Sequence, residues 1–165
     1  ILSFLPIIGE ILFNYNYMNL NNSYEILTKS WDVKNISLDE ILKWKTILFF
    51  YPKDNTPGCT IENKDFSCLS EQFKDLGVNL VGVSKDSIDS HKKFVTNHEL
   101  NVELISDPDL ILHKELWAYG EKNNYGKIVM GVIRSTFLIE NGEILESWKN
   151  IRAKWHAERI LKALS

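Results

Sequence analysis

Thr46–Tyr51 reads TILFFY, an apolar run with no polar alternation. A strand of this kind must be covered on both faces, which points to a sheet sandwiched between helices rather than a half-solvated meander. Val78–Ser84 (VNLVGVS) is a second buried run. Between the two, Pro57 opens a helical pattern with apolar positions at Phe66, Leu69, Phe73 and Leu76, and Gly77 supplies a C-cap. The pattern predicts one helix across this stretch. At 165 residues and 44% hydrophobic content, the chain can bury such a two-sided core within one domain.

The rest of the chain continues the alternation. Ser87–Leu100 predicts a helix with Ser87 as its N-cap, Val102–Ile105 a short strand, and Asp107–Trp117 another helix. Residues 119–131 read as a glycine-punctuated loop. Val132–Glu140 and Glu143–Trp148 predict two strands joined by an Asn141-Gly142 turn, and Trp155–Leu164 predicts a closing helix. The order implies an α/β fold with a central mixed sheet flanked by helices.

A net charge of −3 gives no basic footprint for nucleic acid. Two cysteines cannot form a disulfide scaffold, and they lack zinc-ligand spacing. The longest apolar stretches fall short of the roughly 20 residues of a membrane helix. Residues 1–17 are largely apolar, with Glu10 as the only charge, and lack a cationic n-region, so they are expected to be an extension outside the core fold, with Met18 as the expected start of the domain.

Cys59 stands where the first buried strand has ended and the helix begins. Free backbone N–H groups and the positive end of the helix dipole favour a thiolate at such a place. From position alone, a reactive thiol and a buried structural cysteine are both open readings. Around it, Pro52, Thr56 and Cys59 form P-x-x-x-T-x-x-C within FFYPKDNTPGCTIENKDF (49–66).

This motif resembles the peroxiredoxin active site, and the variant YPKDxTPGCT is similar to the Q-type branch, the bacterioferritin comigratory proteins. The resemblance extends through ISDPD (105–109), YGEKNNYGKIVMGVIRSTFLIENGEI (119–144) and RAKWHAERIL (152–161), covering the chain from about Asn22 to its end. It implies a thioredoxin-like fold over 18–165 and a thiol-dependent peroxidase reducing hydrogen peroxide and organic hydroperoxides, with no metal or organic cofactor. It implies that Cys59 is the peroxidatic nucleophile, oxidised to a sulfenic acid. Thr56 would set its hydroxyl against the sulfur, Pro52 would shield it, and Arg134 would stabilise it by charge, oriented by Glu62. Thr56 and Glu62 have plainer readings as a helix cap and a first-turn dipole partner, and Arg134 as a solvated strand residue.

The chain departs from the pattern at Lys64, where many Q-type relatives carry a resolving cysteine. Cys68 is the other thiol and the candidate resolving residue. It lies nine residues after Cys59, about 13.5 Å along an intact helix, whereas a disulfide needs Cα atoms roughly 4.4–6.8 Å apart. Either Cys68 acts after more than two turns unwind, or it is an ordinary helix residue and an external thiol resolves the sulfenic acid. Thioredoxin, glutaredoxin and a small thiol are the candidate reductants.

Two rival functions are weighed against this reading by the sequence itself. A disulfide reductase needs C-x-x-C, and Cys59 is followed by Thr60, Ile61 and Glu62. A binding module or holdase chaperone on the same fold would not need Pro52, Thr56, Cys59 and Arg134 together. His91 and His98 read as solvated on a polar helix, and His156 as a cap. Trp117, Tyr119 and Tyr125 read as packing around a loop. The expected setting is a reducing cytoplasm, with no membrane or nucleic-acid partner, as a monomer or weak homodimer.

Overall fold

The structure is a computed structural model in which residues 18–165 are described; the expectation for 1–17 lies outside the described residues. The described residues form nine strands: β1 (Ser23–Leu27), β2 (Val33–Ser37), β3 (Thr46–Phe50), β4 (Asn79–Ser84), β5 (Glu103–Ser106), β6 (Tyr119–Asn124), β7 (Lys127–Val132), β8 (Ser135–Glu140) and β9 (Glu143–Lys149). Six helices accompany them among the described residues: α1 (Leu38–Ile41), α2 (Pro57–Cys68), α3 (Ser70–Asp75), α4 (Ile88–His98), α5 (Ile111–Glu115) and α6 (His156–Leu164).

Seven strands form one mixed sheet in the order β2-β1-β5-β4-β3-β8-β9. The β5-β4-β3 centre is parallel, and its neighbours β1 and β8 are antiparallel to it. Strand β3 shows why an unbroken apolar run was needed. Ile47 and Phe49, with Tyr51 just beyond, face a core closed by α2, α3, α4 and α6; Leu48 and Phe50 face a second core closed by α1 and α5. Side chains two apart share a face, so both faces must be apolar. Phe49 stacks on Phe66 of α2 at 4.4 Å between ring centroids, which fixes the helix carrying Cys59 against the strand before it. Gly82 of β4 is required by this packing: a Cβ there would lie 2.8 Å from Leu104 and 2.9 Å from the Phe49 ring.

Several expectations are corrected. The single helix after Pro57 bends at Leu69, where Asn101 inserts hydrogen bonds to Ser67 Oγ (2.9 Å) and Ser70 Oγ (2.8 Å). The i→i+4 bonds nevertheless run through the bend, from Leu69 N to Asp65 O and from Phe73 N to Leu69 O. The stretch 119–131 is a hairpin of β6 and β7 rather than a loop; Tyr125 and Gly126, both at positive φ, turn it. Tyr125 is therefore fully exposed at the tip, and Trp117 is exposed as well, so neither packs as expected. The expected strand over 132–140 is interrupted at Ile133–Arg134. Helix α5 is shorter than predicted because Asp107 holds the amides of Ile111 and His113 with its carboxylate. The N-terminal β1–β2 hairpin and α1 are additional to the predicted elements, although Ser23-Tyr24-Glu25-Ile26 alternates polar and apolar in step with its burial. The Ser87 cap and the Asn141-Gly142 turn stand as expected, with Ser87 accepting from Ser90 N.

Candidate active site

Strand β3 ends at the sheet's centre and releases the chain into a loop, 51–56, that leads straight into α2. Cys59 is in the first turn of that helix. Pro57 occupies the first helical position, where its missing N–H costs nothing. Thr56 holds the N-cap position but forms no side-chain cap bond; its hydroxyl donates instead to Lys53 O at 2.7 Å. The amides of the first turn therefore lack a side-chain acceptor, as an anion site at a helix N-terminus requires. Cys59 is 1% exposed, and Pro52 and Thr56 are half-buried on the loop above it.

Arg134 comes from the gap between β7 and β8, 75 residues away in sequence. One nitrogen, Nη2, donates to Cys59 Sγ at 3.4 Å, and the other, Nη1, pairs with the carboxylate of Glu62. The planar fork lets one guanidinium serve both groups. Burial opposes its charge, but Glu62 and the cysteine sulfur outweigh burial and hold the guanidinium protonated more firmly than usual. Arg134 is thus not a solvated strand residue. Glu62 is fully buried, one turn along α2 from Cys59, and its Oε1 has no hydrogen-bond partner. Burial pushes its pKa up to about 7, past the opposing pull of Arg134. A buried carboxyl of this kind is more than a dipole partner at a helix start.

Of the predicted residues, Arg134 contacts both Cys59 and Glu62. Pro52 and Thr56 are on the adjoining loop, and Thr56 makes no hydrogen bond to the sulfur. Cys68 is exposed at the far end of α2, remote from this cluster. His156 is not a cap: its Nε2 lies 2.8 Å from Thr136 Oγ1, its ring is buried against Phe66, and burial with the charges of Arg134 and Arg159 lowers its pKa to about 4. His91 is also not solvated. It is fully buried and paired with Asp54, as His113 is with Asp107, because both aspartates approach from loops that sequence periodicity does not place. Among the described residues, no cluster of three or more His, Cys, Asp or Glu could hold a metal ion. No described helix is long and apolar enough to cross a membrane.

Two predictions arise from this geometry. Gly58 lies under the guanidinium: a Cβ there would stand 3.3 Å from Arg134 Nη2 and 3.8 Å from Ala153. Gly58→Ala should improve helix propensity by up to ~1 kcal/mol. By displacing the guanidinium it should also slow peroxide reduction roughly three- to tenfold. Stopped-flow peroxide consumption and thermal unfolding on the same sample check the pair of effects.

The second concerns pH. The folded chain binds a proton at Glu62 up to about pH 7, whereas the ordinary carboxyl releases it near 4.5, so this group's contribution to stability declines as pH rises through that window. His156 acts in the opposite sense: its contribution is complete above 6.5 and is lost as pH falls towards 4. Glu62→Gln removes the first slope. Its urea midpoint should therefore rise more steeply than wild type between pH 4.5 and 6.5; parallel curves would contradict the assignment.

The AhpC/TSA family model matches residues 22–147. A putative peroxiredoxin Bcp from Helicobacter pylori is 46% identical over 137 residues, covering 82% of this chain and 90% of the relative. Peroxiredoxin Bcp from Bacillus subtilis is 40% identical over 119 residues, covering 72% and 76%. The Xanthomonas campestris bacterioferritin comigratory protein, solved in a study of its alkyl peroxide reduction activity, superposes with a TM-score of 0.79 at 34% identity, covering 88% of this chain and 90% of that one. The thioredoxin-like sheet, the buried cysteine at a helix start and these similarities together establish that the chain belongs to the peroxiredoxin (AhpC/TSA) family, in its Q-type, bacterioferritin-comigratory branch, and is a thiol-dependent peroxidase.

Proposed function

We propose that Cys59 is the peroxidatic nucleophile for hydrogen peroxide and small organic hydroperoxides. The observation that carries this reading is the contact of Arg134 Nη2 with Cys59 Sγ at 3.4 Å, at a helix N-terminus. The sulfur attacks one peroxide oxygen, an S–O bond forms and the O–O bond breaks. The leaving oxygen takes a proton and departs as water or alcohol, and Cys59 becomes a sulfenic acid. Arg134 and the free amides of Gly58 and Cys59 face the charge that builds on the departing oxygen. Glu62 orients Arg134, while Pro52 and Thr56 shape the loop over the sulfur.

A thiol must then reduce the sulfenic acid, releasing water and leaving a disulfide. Cys68 is about 13.5 Å along the helix from Cys59, so an external thiol is the first choice: thioredoxin, glutaredoxin or a small thiol. Two unpaired cysteines suit a reducing cytoplasm, and a monomer or weak homodimer is the proposed state.

The deciding experiment is an intact mass spectrum of reduced protein after one equivalent of hydrogen peroxide, with a thiol-blocking quench. Gain of one oxygen assigns a one-cysteine mechanism with an external reductant. Loss of two hydrogens without a dimer assigns the Cys59–Cys68 disulfide. An unmodified mass with peroxide left unconsumed would overturn the peroxidase reading.

A further inference from the structure

We infer that a buried latch, built from Asp54 and His91, positions the loop that carries Pro52 and Thr56 and thereby sets how readily Cys59 is uncovered. The inference rests on the proposed role of Cys59, but its test does not.

Asp54 is the only buried residue between 52 and 56. Its main chain and side chain are both held. Its amide donates to Asp86 Oδ2 at 2.8 Å, in the turn after β4. Its Oδ1 accepts from Tyr51 Oη at 2.7 Å, and its Oδ2 accepts from Ser90 Oγ at 2.8 Å and meets His91 Nδ1 at 2.7 Å. Asp86 is in turn held by Ser84 Oγ at 2.7 Å. His91 is fully buried, and its other nitrogen, Nε2, meets Ile105 O at 3.0 Å. A second histidine of α4, His98, reaches Asn55 Oδ1 at 3.2 Å, next to Asp54 on the loop.

The hydrogen count explains why this is a latch. The Ile105 carbonyl can only accept, so Nε2 carries a hydrogen. The Nδ1–Oδ2 contact needs a further proton, held either as imidazolium with carboxylate or as neutral imidazole with carboxylic acid. Every donor and acceptor is then matched, and such a network is rigid when complete and costly when broken. It ties the loop to the ends of β3 and β4 and to α4. Cys59 has almost no exposure, so a resolving thiol reaches its sulfur only when this loop and the first turn of α2 move. The latch opposes that movement. Asp54 and His91 are positioning residues: neither is among the polar contacts of the sulfur.

Alkylation tests this without peroxide. Cys68 is exposed and serves as the internal reference for buried Cys59. Reduced protein is treated with N-ethylmaleimide, and each cysteine is followed by peptide mass spectrometry. In Asp54→Ala, labelling of Cys59 relative to Cys68 should rise roughly tenfold or more. Asp54→Asn should restore protection, because its amide supplies a hydrogen to His91 Nδ1 while its oxygen still accepts from Tyr51. His91→Gln, which donates from only one end, should fall between wild type and Asp54→Ala, and it replaces the alanine variant if that fails to fold. Cys59 labelling within twofold of wild type in the folded variant, or no protection by Asp54→Asn, overturns the latch. Loss of the nucleophile assignment would show instead as peroxide turnover surviving Cys59→Ser, with the labelling pattern unaffected.

Discussion

Cys59→Ser abolishes peroxide consumption, with a loss of at least ~10³-fold in the rate of peroxide reduction. The serine hydroxyl is far harder to ionise than a thiol, and oxygen is a poorer nucleophile towards a peroxide O–O bond. The exchange is nearly isosteric, so the fold around it should persist: Cys59 belongs to a buried core that includes the larger side chains of Phe49, Phe66 and Phe73. The measurement is peroxide consumption in the presence of dithiothreitol, with thermal unfolding as a control. Cys68 cannot stand in, because it is exposed at the far end of α2, whereas the Arg134 guanidinium is held between Cys59 and Glu62. Unchanged turnover in the folded variant would remove Cys59 from the mechanism.

The sequence carried the central architecture because the forces that set it are local. An unbroken run such as Thr46–Tyr51 has one solution, and Pro57, Ser87 and Asn141-Gly142 mark their boundaries by backbone chemistry that needs no tertiary partner. The site was legible only through motif resemblance. Nothing in the spacing of Glu62 and Arg134 reveals that one guanidinium spans both Glu62 and Cys59; that contact joins residues 72 and 75 positions apart. The histidines failed for the same reason. His91 is three residues after Ile88 and three before Phe94 on the inward stripe of α4, but a histidine there reads as solvated until Asp54 arrives from another element. The hairpin over 119–132 was hidden because its strands are polar or exposed along most of their length, with Gly120 and Gly131 paired across it.

Arg134→Met lowers the rate of peroxide reduction by roughly 10²–10³-fold, the usual cost of deleting one preorganised donor to a developing oxyanion. Methionine approximates the length of the aliphatic stem, so the loss is mainly that of the charge and its two bonds. Without a fixed cation beside the sulfur, activity should reach its plateau at higher pH than in wild type. The variant also leaves Glu62 buried without its partner. Since burial already pushes that carboxyl up to about 7, the destabilisation should be small at pH 5, where Glu62 is protonated, and should grow above pH 7, where a buried carboxylate would stand unpaired. Arg134→Lys distinguishes charge from geometry. An ammonium is a single point and cannot span Cys59 Sγ and Glu62 together as the guanidinium does through Nη2 and Nη1. It should recover most of the stability at high pH, by pairing with Glu62, and little of the rate. A lysine variant with wild-type turnover would show that positive charge alone suffices and that the fork has no catalytic role.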